Sequence, residues 1–107
     1  MHPSERDIQR VTEMLVREFR PSSVVLFGSR AQGSARPDSD VDLLVVLPFE
    51  GSPIAKMSEM LARAYQVMET PFAVEFHPRR PLAEGALPDP VMDDALKKGV
   101  VLYEAAA

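Results

Sequence analysis

Val24-Val25-Leu26-Phe27-Gly28-Ser29-Arg30-Ala31-Gln32-Gly33 leads, six residues later, into Asp40-Val41-Asp42-Leu43-Leu44-Val45-Val46-Leu47. Two apolar runs therefore meet at one small, polar, charged crossing. The first run ends on a glycine turn and the second begins with a pair of carboxylates. Each run is short and apolar, so each reads as a strand buried on at least one side. Side chains alternate faces along a strand, so Asp40 and Asp42 share a face that Leu44 and Val46 continue. Val41, Leu43, Val45 and Leu47 line the opposite face.

Two adjacent carboxylates on an apolar strand repel one another and lose hydration, which a bound cation would offset. An isolated pair of this kind is more often a solvated strand start. The glycine turn beside it changes the reading. Gly28 and Ser29 can bring backbone N–H groups close to an anion, because glycine has no Cβ to block the approach. Ser29 to Gly33 reads as a short helix whose N-terminus would favour phosphate, and Arg30 and Arg36 add positive charge. Oxygen ligands, with no Cys and no His close in sequence, suit Mg²⁺ or Mn²⁺ and not zinc. Phosphate donors on one side and metal ligands on the other match a metal-bound nucleotide. The segment is not a P-loop, since Ser34 stands where that motif has Lys.

These residues resemble a known family. Gly28-Ser29-Arg30-Ala31-Gln32-Gly33 and Ser39-Asp40-Val41-Asp42-Leu43 look like the G-S-x-x-x-G and S-D-x-D-L signature of the nucleotidyltransferases related to DNA polymerase β. The resemblance is strongest to their minimal nucleotidyltransferase (MNT) group, whose chains have about this length. It implies that Asp40 and Asp42 hold two divalent ions, Mg²⁺ with Mn²⁺ as the alternative. It implies that Gly28, Ser29, Arg30 and Ser39 serve the nucleotide.

The rest of the chain agrees with one domain spanning residues 1–107. The length of 107 residues allows a modest core, and 46% hydrophobic residues suffice for a globular fold. There is no Cys, which excludes a disulfide framework and fits a reducing cytoplasm. No apolar run approaches the roughly 18 residues of a membrane span. The formal net charge of −4 argues against a dedicated nucleic-acid binder.

Ile8, Val11, Leu15 and Phe19 recur at helical spacing behind a Ser4 cap, and Pro21 ends that helix. Ser52 or Pro53 opens a second helix, with Ile54, Met57, Leu61, Tyr65 and Met68 on one face. Phe72 to His77 alternates as a strand, with Glu75 and His77 on the face opposite Phe72, Val74 and Phe76. Strand, helix and strand make a βαβ unit, so this strand runs parallel to the Asp42 strand and can set Glu75 beside it. MNT-type enzymes carry a third carboxylate on this strand, usually Asp. Here it is Glu75, which the resemblance implies as third metal ligand and general base. A lone His near a strand end is commonly just half-exposed, and a catalytic His77 is the minority reading. Asp89-Pro90 starts a third helix, Lys97, Lys98 and Gly99 end it, and Val100 to Tyr103 reads as a final extended segment.

The expected fold is α/β and nucleotidyltransferase-like: a small mixed sheet with helices packed mainly on one face. The first two strands should be antiparallel, because a short segment joins them. The expected activity is transfer of a nucleoside monophosphate, AMP from ATP, to a hydroxyl. A chain of this length spends nearly everything on the catalytic core, so the acceptor surface would come from a partner or a second copy of the chain. MNT-type proteins typically act as antitoxins paired with a helical HEPN-type toxin, and some adenylylate it on a tyrosine; the resemblance implies that role. Two other readings stay open. One is a non-catalytic module that neutralises a partner by occlusion. The other is a small-molecule nucleotidyltransferase, which at this length would need a homodimer to build its pocket.

Overall fold

A computed structural model describes residues 5–33 and 40–106. The elements run α1 (Glu5–Phe19), β1 (Ser23–Phe27), β2 (Val41–Val46), α2 (Pro53–Val67), β3 (Val74–Arg79), α3 (Pro90–Lys98) and β4 (Val100–Glu104). The strands form one mixed sheet in the order β3-β2-β1-β4. β1 is antiparallel to β2 and β4, and β2 is parallel to β3. The two expected directions, antiparallel for the first pair and parallel across the βαβ unit, both hold.

β2 is central and covered on both faces, which is why its sequence is a nearly unbroken apolar run. Val41, Leu43, Val45 and Leu47 pack with Val11, Met14 and Leu15 of α1 and with Met60 and Ala64 of α2. Leu44 and Val46 pack on the other face with Val25, Phe27 and the α3 residues Met92 and Ala95. Two of the three described helices thus share one face. The third covers the face that carries Asp42, and it does so over Leu44 and Val46.

The starts of α2 and α3 are built as their sequences suggest, while the Ser4 cap expected for α1 lies outside the described residues. Ser52 caps α2, its hydroxyl accepting the Ala55 N–H at 3.1 Å, with Pro53 in the first turn. Asp89 caps α3, one carboxylate oxygen accepting the Val91 and Met92 N–H groups at 3.0 and 3.1 Å. The other oxygen accepts from Arg79 Nε at 2.7 Å, which ties the end of β3 to the start of α3. Arg80 is used structurally as well. It donates to the Phe49 and Gly51 carbonyls and lies 4.2 Å over the Phe49 ring.

Two local expectations shift. The buried side of α2 centres on Met60 and Ala64, while Ile54 and Tyr65 are 71% and 49% exposed. Residues four apart advance around a helix by more than one turn, so a stripe of such steps drifts off the core, and small Ala64 is a poor marker of it. β3 lies two residues further on than the alternation suggests and includes Pro78. Pro78 is tolerated because β3 is an edge strand and its missing N–H can face away from the sheet. Asp7, in the first turn of α1, is 3% exposed and its Oδ1 accepts the Glu69 N–H at 3.2 Å, linking α1 to the end of α2. Among the described residues, no helix is long and apolar enough to cross a membrane.

Candidate active site

β1 delivers Phe27 and then Gly28, whose φ is +78°. That backbone conformation suits glycine. A Cβ at Gly28 would also stand 2.6 Å from Asp42 Oδ2, so the glycine turn is pressed directly against the carboxylate. The expected short helix after Gly28 is a single turn instead. Gln32 N–H donates to the Gly28 carbonyl at 3.3 Å, and Gly33, with φ +75°, leaves helical geometry at once. One such bond fixes several backbone angles for little return, so the turn does not propagate within the described residues. Ser29 and Arg30 lie in this turn, both half-buried. Arg36 and Ser39 fall outside the described residues.

Asp42 is half-buried near the start of β2. It pairs in register with Phe27 on β1 and with Glu75 on β3. Parallel register therefore brings the two carboxylates side by side on one sheet face, as the βαβ reading expects. Asp40 is exposed just ahead of β2. It does not join the group of side chains whose ligand atoms lie within 4.8 Å of one another; that group is Asp42, Glu75 and His77.

His77 is the residue that reading by pattern undervalues. Its Nε2 lies 3.3 Å from Asp42 Oδ1 and 4.0 Å from Glu75 Oε2. Its ring meets Phe27 edge-on, with centroids 5.0 Å apart and planes at 63°. The sequence places no His near the aspartates, and the structure brings one close: His77 is distant in sequence from Asp42 and near it in space. The available signal was its place two residues after Glu75, on the same strand face.

The arrangement offers two carboxylates and one imidazole at the open end of a sheet face, next to a turn with a glycine close approach. Such a set can hold a divalent cation and present backbone N–H groups to an anion beside it. A mixed β3-β2-β1-β4 sheet with helices on both faces is an α/β domain, and the carboxylate pair and glycine turn meet at one end of it. The comparison with family models assigns its family. The model of the nucleotidyltransferase domain matches residues 8–100, and the chain belongs to that family. No curated protein matches the sequence. Two solved structures share the fold. One is a Sulfolobus solfataricus protein provisionally described as a nucleotidyltransferase, with TM-score 0.61 and 20% identity, over 92% of this chain and 78% of that one. The other is a chain of a toxin–antitoxin structure with AMP-PNP, with TM-score 0.59 and 23% identity, over 91% of this chain and 73% of that one. At these identities they speak for the fold alone.

Proposed function

We propose that the protein is a metal-dependent nucleotidyltransferase that moves a nucleoside monophosphate, AMP from ATP, onto a hydroxyl of a partner protein. The acceptor we favour is a tyrosine of a HEPN-type toxin, which makes the protein an antitoxin. The observation that carries the reading is the register pairing of Asp42 with Glu75 beside the close approach of Gly28. Membership of the nucleotidyltransferase domain family supports the reaction class. The choice of nucleotide and setting follows one structure that shares the fold, described as a toxin–antitoxin with AMP-PNP.

Asp40 and Asp42 would hold the divalent ions, Mg²⁺ or Mn²⁺, with Glu75 completing the set. Asp42 and Glu75 fit such an ion, because they pair in register and their ligand oxygens lie within 4.8 Å of one another, close to the roughly 4.2 Å that two metal–oxygen bonds span. When bound, the ions neutralise triphosphate charge and lower the pKa of an acceptor hydroxyl. Gly28 and Ser29 would offer backbone N–H groups to the β- and γ-phosphates, with Arg30 and Ser39 assisting. The Glu75 side chain is 55% exposed, open to an incoming hydroxyl, and would take its proton. The hydroxyl oxygen forms its bond to the α-phosphorus in line as the bond to pyrophosphate breaks. Positioning and charge neutralisation carry most of the rate.

A second reading is a binding module of this fold that neutralises its partner by occlusion. The exposure of Asp40, outside the Asp42, Glu75 and His77 group, favours it. Intact-mass spectrometry of the co-expressed partner separates the two. The transferase reading requires an added AMP mass; full neutralisation of the partner with no added mass would establish the binding module.

A further inference from the structure

We propose that His77 is itself a metal ligand, and that its imidazole makes the site prefer Mn²⁺ to Mg²⁺. The inference rests on the reading of Asp42 and Glu75 as metal ligands and adds a nitrogen donor to them. Geometry carries it. Around an octahedral ion with ligands at about 2.1 Å, neighbouring donor atoms stand about 3.0 Å apart and opposite ones about 4.2 Å apart. His77 Nε2 stands 3.3 Å from Asp42 Oδ1 and 4.0 Å from Glu75 Oε2. Two of the three donor–donor distances thus fall between the neighbouring and the opposite spacing, and the ligand atoms of all three groups lie within 4.8 Å of one another.

The ring is also held for the task. β3 fixes its backbone opposite Leu44, and the Phe27 ring packs against it edge-on. Its side chain is largely shielded from solvent, so its nitrogen is offered to the two carboxylates more than to water. Asp40 stands exposed and outside the group, so within the group the imidazole is the donor that joins Asp42 and Glu75.

Metal preference follows from donor chemistry. Mg²⁺ is a hard ion that takes oxygen ligands and sheds water reluctantly, whereas imidazole suits transition metals. Mn²⁺ accepts carboxylate, imidazole and water together in octahedral geometry. A rival role for His77 is to donate an Nε2–H hydrogen bond to Asp42 and steady that carboxylate. The two roles exclude each other at one nitrogen, because a ligating Nε2 carries no proton.

Pulsed electron paramagnetic resonance of Mn²⁺ bound to the full chain tests this directly. A ¹⁴N coupling from a directly bound nitrogen is expected in the wild type and should vanish in His77→Gln. Groups that merely support metal ligands are worth about 10- to 100-fold in affinity, and a ligand should be worth at least that. His77→Gln should therefore weaken Mn²⁺ by about 10-fold or more and leave Mg²⁺ little changed, read by calorimetry. Gln can still donate to Asp42, so undiminished Mn²⁺ affinity in this variant would make His77 a steadying donor and overturn the proposal. Bound Mn²⁺ without a nitrogen coupling in the wild type would overturn it while leaving the carboxylate reading intact. Mn²⁺ affinity that is indifferent to Asp42→Asn would sink both.

Discussion

Asp42 and Glu75 face each other across β2 and β3 in parallel register, on the sheet face that α3 covers only further along. Neither is deeply buried, so the pair is not a stabilising element of the core. Its neighbours are a glycine pressed against Asp42 and a histidine reaching toward both carboxylates.

Asp42→Asn should abolish tight metal-nucleotide binding and keep the fold. It removes a charge at nearly constant shape, and Asn still offers an oxygen toward His77. Calorimetry with Mg-ATP and with Mn-ATP is the measurement, with circular dichroism as the check on folding. Unchanged affinity for both would remove Asp42 from the metal site.

Glu75→Gln keeps the side chain's size and cannot accept a proton. Transfer to a hydroxyl should fall by roughly 10²-fold or more, the usual worth of a general base. Capture of the partner should persist, and intact-mass spectrometry of the co-expressed partner should lose the AMP adduct. A full adduct with this variant would assign the base elsewhere.

Gly28→Ala and Gly33→Ala form a matched pair. Both glycines have positive φ, so each substitution should cost about 1–2 kcal/mol of stability through the left-handed backbone. At Gly33 a Cβ meets nothing within 4 Å, and at Gly28 it would stand 2.6 Å from Asp42 Oδ2. Only Gly28→Ala should therefore weaken Mn²⁺ binding, by displacing the carboxylate. Equal metal affinity in the two variants would show that Asp42 yields to the methyl group without cost.

Asp89 sets a pH dependence of stability. The hydrogen bond from Arg79 holds its carboxyl below the ordinary value of 3.8, aided by the helix N–H groups and the Arg79 charge and opposed by partial burial. A lowered folded-state value means a contribution that is present above about 4 and lost as pH falls through the lowered value. Loss of the cap in Asp89→Ala should cost about 1 kcal/mol near neutrality. The Arg79 pair is substantially exposed and screened by salt, and adds little to that. Urea unfolding should show the gap between wild type and Asp89→Ala closing as the pH is lowered below 4. A gap that stays constant would mean that the charged form has no advantage in the folded protein.

Much of this protein is written in local pattern. The double-sided apolar run of β2, the caps at Ser52 and Asp89, the place of Asp42 at the start of β2 and the glycine turn at Gly28 each follow from a few adjacent residues. So does the pairing of strands, because a short link forces β1 and β2 antiparallel and an intervening helix makes β3 parallel. The approximate neighbourhood of Glu75 was legible for the same reason. What the sequence could not supply was register. Which residue of β3 stands opposite Asp42 depends on where β3 starts, and Pro78 inside that strand hides its true extent. The contact between Gly28 and Asp42, the reach of His77 to both carboxylates, the exposure of Asp40 and the burial of Asp7 against Glu69 all depend on how separate elements settle against each other. Periodicity fixes the direction of a side chain relative to its own element, and only packing between elements fixes what that side chain meets.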